Sequence, residues 1–273
     1  MDLTSQELSS FAAIALKAAL EAGAILEHYW GNVHQVHSKD GAGNLVTEAD
    51  QASEKCILEI LQDLCPQHAV LAEESGTHDV KGTEFLWAVD PLDGTTNYAH
   101  QLPIVSVSIG LLYRGSPVVG VVYNPIQKNL FQATLGGGAF LDGKPIYVSK
   151  VKNLSESLLV SGFPYHRRET EDNNYTEFCR LTDITQGVRR LGSAALDLAH
   201  VAAGRYEGYW ESGIQAWDVV AGCLLVQEAG GRVTAYDGSR VDYFSGRLLA
   251  TNGMVHDQLS DELARIKQKK THR

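Results

Sequence analysis

The chain has 273 residues, which is enough for one large domain or two tightly joined lobes. Hydrophobic residues make up 44% of the chain and charged residues 21%, the usual balance of a globular protein. The formal net charge of −10 argues against a protein that binds nucleic acid through a basic surface. It is compatible with an anionic substrate, because a bound cation can reverse the local charge.

The sequence predicts neither a secretion signal nor a membrane span. The start, Met1 to Thr4, lacks the basic residues and the apolar core of a signal peptide. No run approaches the roughly 20 apolar residues that a membrane helix needs. The four cysteines form no C-x-x-C pair, so we interpret them as reduced thiols. These features predict a cytoplasmic protein that contacts no membrane.

Two helices are predicted at the start of the chain. Thr4 and Glu7 have the spacing of a capping box, and apolar residues then recur at helical spacing until the helix ends near Gly31. A second helix follows the segment 45–50, and Asp50 lies where its N-cap belongs. Capping is therefore one interpretation of Asp50, and a functional role is the other.

Two acids end the next predicted strand. The apolar run 70–72 leads into Glu73 and Glu74, which point to opposite sides if the chain is extended there. Taken alone, such a segment is more typical of a polar loop. The strand interpretation gains support because a second acid-bearing strand end follows within twenty residues.

The segment 85–97 carries the strongest chemical signal in the chain. Its apolar, β-prone start predicts a buried strand, and Asp90 is followed three residues later by Asp93. Two neighbouring carboxylates repel each other, and a hard divalent cation explains them because it binds carboxylate, carbonyl and water oxygens. Gly94 and Thr95 then offer backbone N–H groups at a helix start, which is a ready anion site. The segment therefore predicts a divalent metal beside a phosphate.

The later part of the chain alternates between strands and helices. An antiparallel meander is predicted over 105–133. Gly192, Ser193 and Ala194 lie between a predicted strand and a predicted helix, where they form either an ordinary capped turn or a second anion or substrate site. Asp218 lies in the first turn of a later helix, where it either complements the helix dipole or joins the other acids.

Four acids are separated in the sequence, and each lies at a predicted strand end or helix start: Glu73, Asp90, Asp93 and Asp218. Each has an ordinary structural interpretation when it is considered alone. Together they make an oxygen-rich site suited to two Mg²⁺ ions. Two metal ions and an in-line water are sufficient to hydrolyse a phosphate monoester without a covalent phosphoenzyme.

With these acids in place, the chain resembles the inositol monophosphatase family of Mg²⁺-dependent, Li⁺-sensitive phosphatases. The family's D-P-[ILV]-D-G-T pattern occurs at 90–95, and its W-D pattern followed by an apolar helix and E-A-G-G occurs at 217–231. The segments 45–50, 73–76 and 190–195 also match, in the correct order. The resemblance therefore spans nearly the whole chain.

The resemblance implies a role for each matching residue. The metal ligands would be Glu73, Asp90, the Leu92 carbonyl oxygen, Asp93 and Asp218, which together would bind two or three Mg²⁺ ions. The phosphate would be held by the backbone N–H groups of Gly94 and Thr95. The catalytic residues would be Asp50, Thr95 and Glu73, with Asp50 and the Thr95 hydroxyl group orienting the water nucleophile and relaying its proton. The substrate-binding residues would be Gly192, Ser193, Ala194 and Glu211, together with Asp93 and Asp218.

The resemblance also implies the architecture, an α+β or α/β protein built as a layered α-β-α-β-α sandwich of the inositol monophosphatase and fructose-1,6-bisphosphatase type. We expect residues 1–273 to form a single phosphatase unit with two packed lobes, roughly 1–150 and 151–273, and no flexible linker. Dimers are common in the family, so a homodimer is expected. The expected partner is a small phosphate-ester substrate, with no nucleic acid and no membrane.

The substrate is the least determined part of the prediction. Hydrolysis of myo-inositol monophosphate or a related polyol or sugar phosphate by metal-activated water is the preferred function. Histidinol phosphatase or fructose-1,6-bisphosphatase-like activity is an alternative, because His166, Arg167 and Arg168 in the loop 162–174 would suit a second phosphate or a carboxylate. A solvated basic loop explains the same residues. A regulatory protein-docking role with weak catalysis is the alternative from a different class.

Overall fold

The computed structural model describes residues 3–33, 36–38 and 45–271. Seven α-helices lie in this part of the chain: α1 (Ser5–Tyr29), α2 (Glu48–Leu64), α3 (Thr95–Ala99), α4 (Tyr175–Ile184), α5 (Ala194–Ala202), α6 (Ala216–Glu228) and α7 (His256–Thr271). A short 3₁₀ helix covers Leu154–Glu156.

Fifteen strands lie in the same described ranges: β1 (Val36–Ser38), β2 (Leu45–Thr47), β3 (Ala69–Ala72), β4 (Gly76–His78), β5 (Phe85–Asp93), β6 (Ser106–Tyr113), β7 (Ser116–Asn124), β8 (Asn129–Thr134), β9 (Gly138–Leu141), β10 (Lys144–Pro145), β11 (Leu158–Ser161), β12 (Gly187–Arg189), β13 (Gly208–Ser212), β14 (Arg232–Thr234) and β15 (Arg247–Thr251). The predicted meander is confirmed as β6, β7 and β8, and the acid-bearing strand ends are confirmed as β3 and β5.

The strands form two large sheets and one small pair. The first sheet has eight strands in the order β10-β9-β8-β7-β6-β5-β3-β4, with β3 and β5 parallel and the other neighbours antiparallel. The second sheet has five strands in the order β12-β11-β13-β15-β14, with β11 parallel to both of its neighbours. β1 and β2 pair with each other.

Helices cover both sheets and fill the space between them. α1 and α2 pack on one face of the eight-stranded sheet, and α6 packs on its other face. α5 and α6 pack together and also contact the five-stranded sheet, whose far side is covered by α4 and α7. The five layers follow the order α-β-α-β-α. The predicted fold class is thus confirmed, whereas the division into two lobes near residue 150 stays a prediction.

The middle layer lies unusually close to the eight-stranded sheet. A Cβ atom added at Gly120 would lie 2.6 Å from the Ala221 carbonyl oxygen, and one added at Gly110 would lie 2.9 Å from the Ala221 nitrogen. Both distances are shorter than real Cβ contacts allow, so these strand positions require glycine. As a consequence the backbone of α6 rests directly on β6 and β7.

The predicted N-cap is confirmed for α1 but not for α2. Thr4 caps α1 and forms a capping box with Glu7, as predicted. In α2 the N-cap is Thr47, and Asp50 lies at the third helical position, where it closes a capping box with Thr47. The placement of Asp50 at the N-cap was therefore wrong, because Thr47 occupies that position and leaves Asp50 one turn inside the helix.

Helix α1 requires a correction to the expectation about membrane spans. It is the one helix in the described residues that is long and apolar enough to cross a membrane by length and composition, with a mean hydropathy of 1.5 over its best window. Such helices also occur in protein cores. Its fully buried face carries small residues, including Ala15, Ala18 and Ala22, and packs against the eight-stranded sheet and α2. The buried face of α1, which makes up 28% of that window, thus belongs to the core.

Buried histidines make the stability of the fold depend on pH. His256 has no exposed surface, and its two ring nitrogens lie 2.9 Å from the hydroxyl groups of Thr234 and Thr251. Burial lowers the pKa of His256 from 6.5 to about 4, so the folded state favours the neutral ring over the protonated one. Its contribution to stability is full above the ordinary pKa and is lost as the pH falls from that value toward about 4.

We expect the free energy of unfolding to fall by about 2 kcal/mol at about pH 5 through His256 alone, relative to about pH 7.5. His256→Gln removes the titrating group, so this variant should lose less stability over the same pH interval than the unmodified protein. The exposed His28→Gln is the matched control. Denaturant unfolding at the two pH values measures the effect, and equal losses in all three proteins would contradict it.

Candidate active site

A β-bulge brings the two acids of β5 to one side of the sheet. Residues three apart in a regular strand point to opposite faces. Here Asp90 pairs with Ser108 and Asp93 pairs with Ser106, so three residue steps on β5 match two on β6. Pro91 lies inside this bulge, where the missing N–H group costs no ladder hydrogen bond. Both carboxylates consequently face the same way and are buried.

The turn after β5 can be made only by glycine. Gly94 has a φ of 94°, and a Cβ atom there would lie 2.9 Å from the Ile104 carbonyl oxygen. The turn leads directly into α3, whose first residue is Thr95. The first N–H groups of a helix have no partner within it. The Gly94–Thr95 turn therefore lies beside the two acids with N–H groups available to an anion.

The predicted pair of Asp50 and Thr95 is brought together across 45 residues of sequence. The Thr95 hydroxyl group lies 3.0 Å from Asp50 Oδ1 and 3.1 Å from the Leu92 carbonyl oxygen. Asp50 Oδ2 accepts hydrogen bonds from the Thr47 backbone N–H and hydroxyl groups. Burial raises the pKa of Asp50 to about 6, although the Thr47 bonds oppose that rise. Asp50 is thus a buried carboxyl group held behind Thr95.

Asp93 joins the first part of the chain to the second. Its Oδ2 atom accepts hydrogen bonds from the Ser193 hydroxyl group at 2.6 Å and from the Ala195 N–H group at 2.8 Å, and its Oδ1 atom accepts from the Ala194 N–H group at 3.3 Å. These two N–H groups belong to the first turn of α5. A carboxylate at a helix N-terminus is stabilised by the helix dipole. Asp93 is therefore fixed at the start of α5.

Asp218 reaches the same place from the start of α6. It closes a capping box, in which its Oδ2 atom accepts a hydrogen bond from the Gln215 N–H group at 2.7 Å. The Ser108 hydroxyl group donates to the Trp217 carbonyl oxygen at 3.1 Å and so ties the start of α6 to β6. Because Ser108 also faces Asp90 across the ladder, this contact sets Asp90 and Asp218 side by side.

Glu73 follows the end of β3, and α2 supports it from behind. Its N–H group donates to the Val89 carbonyl oxygen at 3.2 Å, which continues the pairing with β5. The next N–H group, that of Glu74, donates to Glu54 Oε2 at 2.8 Å. Glu54 itself is buried on α2. The Glu73 side chain therefore starts from a backbone that is fixed on both sides.

Glu211 forms the opposite wall. It lies on β13, is buried, and accepts a hydrogen bond from the Tyr209 hydroxyl group at 2.8 Å. A Cβ atom at Gly162 would lie 2.2 Å from its carboxylate oxygens. Only glycine allows the chain to pass this close. Burial raises the pKa of Glu211 to about 7, and the Tyr209 hydrogen bond and Arg190 oppose that rise.

These elements enclose a cavity of about 430 Å³. It is lined by the following predicted residues: Glu73, Asp90, Leu92, Asp93, Gly94, Thr95, Gly192, Ser193, Ala194, Glu211 and Asp218. Asp50 is the one predicted site residue that does not line it, and it contacts the cavity through Thr95. The structure thus gathers residues that are separated by more than 140 positions in the sequence.

Burial and, after it, mutual repulsion set the electrostatics of the acids in the cavity. Burial, followed by the charges of Glu73, Asp93 and Asp218, raises the pKa of Asp90 well above its ordinary value. Burial and the charge of Asp93 do the same to Asp218. Burial also raises the pKa of Asp93 to about 6, against the opposing effect of the Ser193 hydrogen bond. Such shifts mean that the cavity disfavours the ionised carboxylates and that positive charge would stabilise them.

The donor set fits a hard divalent cation. It consists of carboxylate oxygens and the Leu92 carbonyl oxygen, which are the ligands that Mg²⁺ prefers. Among the described residues, no three acid, histidine or cysteine side chains are already arranged around a metal position. Oxygens of Asp90, Asp93 and Asp218 each accept from a backbone N–H group. Each carboxylate keeps further lone pairs for a cation.

Comparison with known proteins decides the classification. The family model described as the inositol monophosphatase family matches residues 7–271. The chain belongs to the inositol monophosphatase family. It is accordingly an enzyme, a phosphatase of this family, and the resemblance seen in the sequence motifs is confirmed.

Individual members of the inositol monophosphatase family are closely similar to this chain. The chain is 55% identical over 262 residues to the inositol-1-monophosphatase of Synechocystis sp., a match that covers 96% of this chain and 91% of that protein. The solved inositol monophosphatase of Anabaena (Nostoc) sp. is 56% identical, with a TM-score of 0.87 over 94% of this chain and 96% of that one. The Nus factor SuhB of Pseudomonas aeruginosa is 42% identical over 88% of this chain and 90% of its own length.

Several cavity residues of this family member were not predicted. Arg190 and Asp197 line the cavity with charge, and Phe163 and Tyr165 line it with aromatic rings. Asp197 had a usable signal, because it is the one acid in the helix 194–202, whose other residues are apolar except His200. The loop 162–174, which contains Phe163 and Tyr165, gave no signal in the sequence, since its path over Glu211 depends on contacts between distant segments.

Replacing a repelled carboxyl group should stabilise the cation-free protein. Asp90→Asn keeps the Oδ1 atom that accepts the Leu92 N–H group at 2.9 Å but removes a buried negative charge. We expect the free energy of unfolding to rise by about 1 kcal/mol, as for the removal of a desolvated polar group, and the melting temperature to rise by roughly 2–4 °C. Thermal unfolding in EDTA at about pH 8, where the carboxyl group is more fully ionised, measures it.

The matched control is Asp142→Asn, since Asp142 Oδ1 also accepts a backbone N–H group at 2.9 Å, from Leu130, in an exposed hairpin. This control should leave the melting temperature in EDTA nearly unchanged. An Asp90→Asn protein that melts at or below the temperature of the unmodified protein would show that the acids of the cavity do not strain the fold.

Proposed function

We propose that the protein is a Mg²⁺-dependent phosphate-monoester hydrolase that releases inorganic phosphate from myo-inositol monophosphate or a related polyol or sugar phosphate. The observation that carries the proposal is the position of Glu73, Asp90, Asp93 and Asp218 around one cavity, next to the Gly94–Thr95 turn. Acids and anion-binding N–H groups lie together at sites that join a cation to a phosphate. The name of the 55% identical relative, an inositol-1-monophosphatase, supports the choice of substrate.

In this proposal the phosphate group binds at the turn after β5. The backbone N–H groups of Gly94 and Thr95 would donate to it, and the start of α3 would add a favourable partial charge. The glycine turn fixes these donors before the substrate arrives. Donors that are already in place need no rearrangement when charge develops on the phosphate oxygens.

Asp50 and Thr95 orient the attacking water and relay its proton, with Glu73 as the third catalytic residue. The Thr95 hydroxyl group is within hydrogen-bond distance of Asp50 Oδ1 at 3.0 Å. A proton taken by the Thr95 oxygen from water can therefore pass to Asp50. Because burial raises the pKa of Asp50 to about 6, its carboxylate is a better base than an exposed aspartate.

The ligands proposed for two or three Mg²⁺ ions are Glu73, Asp90, the Leu92 carbonyl oxygen, Asp93 and Asp218. Bound Mg²⁺ would supply charge neutralisation and a more acidic water. The protein's own contribution is to hold these oxygens in place through the β5 bulge and the starts of α5 and α6. The same cations would offset the burial and the repulsion that raise the pKa values of Asp90 and Asp218.

The alcohol part of the substrate would occupy the wall formed by Gly192, Ser193, Ala194 and Glu211, next to Asp93 and Asp218. A second phosphate finds little support there. His166, Arg167 and Arg168 are not among the described residues that line the cavity, and Arg167 Nη1 instead lies 3.3 Å from the Pro164 carbonyl oxygen. This arrangement favours a monophosphate over a bisphosphate, and histidinol phosphate stays an alternative.

We further propose a homodimer in the cytoplasm that contacts neither membrane nor nucleic acid. The acidic net charge of −10 supports the last point. One side of α1 carries charged groups that suit contact with water. Lys17 pairs with Glu21, and Glu27 pairs with Lys128. Sedimentation velocity would determine the oligomeric state directly.

The decisive experiment is phosphate release from inositol 1-phosphate, histidinol phosphate, fructose 1,6-bisphosphate and glycerol 2-phosphate. We expect the highest kcat/KM for inositol 1-phosphate, no release in EDTA, and inhibition by Li⁺ as the family resemblance implies. Asp90→Asn should be inactive because it removes a proposed metal ligand, whereas Asp142→Asn should be fully active. Undiminished release in EDTA would contradict the metal mechanism, and preference for another ester would contradict the substrate.

A second candidate function is a regulatory role through protein docking. It is favoured by one observation, the name Nus factor SuhB borne by the 42% identical relative. Complementation of a deletion strain with Asp90→Asn separates the two functions, because this variant keeps its fold and loses hydrolysis. Restored growth would favour docking, and failure to restore it would favour catalysis.

A further inference from the structure

Asp197 is a buried acid to which the proposed chemistry gives no role. It lies one turn inside α5, 1% exposed, among the apolar side chains of Ala195, Leu196 and Leu198. It also lines the cavity, next to the wall proposed for the alcohol part of the substrate. An acid buried among apolar side chains demands an explanation, since acids are almost never fully buried unless they are paired.

Helix capping does not explain Asp197. The Ser193 side chain already caps α5 and accepts from the Leu196 N–H group. The Ala194 and Ala195 N–H groups donate to Asp93. The Asp197 N–H group donates to the Ser193 carbonyl oxygen at 3.0 Å, as in any helix. The start of α5 is therefore satisfied without the Asp197 carboxyl group.

Hydrogen bonding within the protein does not explain it either. The Oδ1 atom of Asp197 is buried and has no hydrogen-bond partner within the part of the chain that the structure describes. Buried polar atoms without a partner are rare in folded proteins. The cavity is the place from which a partner can come, because Asp197 is one of its lining residues. The torsion that turns an aspartate carboxyl group is soft, so an oxygen can be presented to a group there.

The charges around Asp197 indicate what kind of group fits. Glu211 and Asp93 raise its pKa, in addition to the larger effect of burial, and Arg190 opposes them. Another anion would be repelled by the acids. A hydroxyl group both donates and accepts hydrogen bonds, so it can donate to a carboxylate oxygen and accept from Arg190 in the same place.

We propose that Asp197 is a specificity-determining residue, whose carboxyl group binds a hydroxyl group on the alcohol part of the substrate beside Glu211. This inference rests on the proposed function, the hydrolysis of a polyol phosphate. It adds a second acid to the alcohol wall, and it predicts that Asp197 distinguishes a hydroxylated alcohol from an apolar one of the same shape.

The test compares inositol 1-phosphate with cyclohexyl phosphate, which has the same ring without free hydroxyl groups. In Asp197→Ala we expect kcat/KM for inositol 1-phosphate to fall by roughly 10- to 100-fold, the effect of leaving a buried hydroxyl group without its partner, with little change for cyclohexyl phosphate. Asp197→Asn keeps an acceptor oxygen, so its kcat/KM for inositol 1-phosphate should fall by less. If cyclohexyl phosphate turns over too slowly, its inhibition constant is compared instead.

The control is Leu198→Ala, a buried residue of the same helix whose side chain packs against Gly222. It should lower the melting temperature and leave the preference between the two esters unchanged. Asp197→Ala should keep or raise the melting temperature, because it removes a desolvated group without a partner. An unchanged preference in Asp197→Ala, or a lowered melting temperature with equal losses on both esters, would overturn the inference.

Failure of the underlying function would look different. An unmodified protein that releases no phosphate from inositol 1-phosphate with Mg²⁺ present would refute the proposed function, and with it the role of Asp197. The role of Asp197 alone would be refuted if the unmodified protein prefers inositol 1-phosphate and the Asp197→Ala variant shows the same preference.

Discussion

Carboxylate groups crowded into one cavity are the constraint on which the rest of the structure depends. Asp90, Asp93 and Asp218 are held together although burial and mutual repulsion raise the pKa of each. An unsupported arrangement of this kind would open until water separated the charges. It is held closed by the ladder between β5 and β6, by α6 lying on the sheet, and by the hydrogen bonds of Asp93 to α5.

Three helix starts offset part of this negative charge. α3 begins at Thr95, α5 at Ala194 and α6 at Ala216, and the first turn of each helix contributes residues to the cavity wall. The N-terminal end of a helix carries partial positive charge, typically worth about 0.3–1 kcal/mol to a nearby anion. The α5 and α6 starts belong to the middle layer of the five. This explains why that layer must lie so close to the eight-stranded sheet that Gly110 and Gly120 are required.

The sequence predicts the site better than it predicts the details that build it. Motif spacing identifies Asp90, Asp93 and the glycine turn because metal and phosphate chemistry restrict both residue type and order. It does not reveal the bulge that turns both acids to one face, since a bulge depends on pairing with a distant strand. Asp50 was misplaced by one turn for a simpler reason, because Thr47 and Asp50 both suit an N-cap and only the structure shows which one caps.

The two walls of the cavity differ in how strongly chemistry constrains them. The wall proposed for metal and phosphate would require oxygen ligands from a few fixed positions, so its residues occur in recognisable motifs. The wall proposed for the alcohol would need only polar groups at suitable distances, from separate segments that include Gly162, Arg190 and Glu211. Many residue combinations satisfy that requirement. The reaction class is therefore visible in the sequence, whereas the alcohol that the enzyme accepts depends on three-dimensional features such as the path of the 162–174 loop over Glu211 and the Asp197 oxygen without a partner.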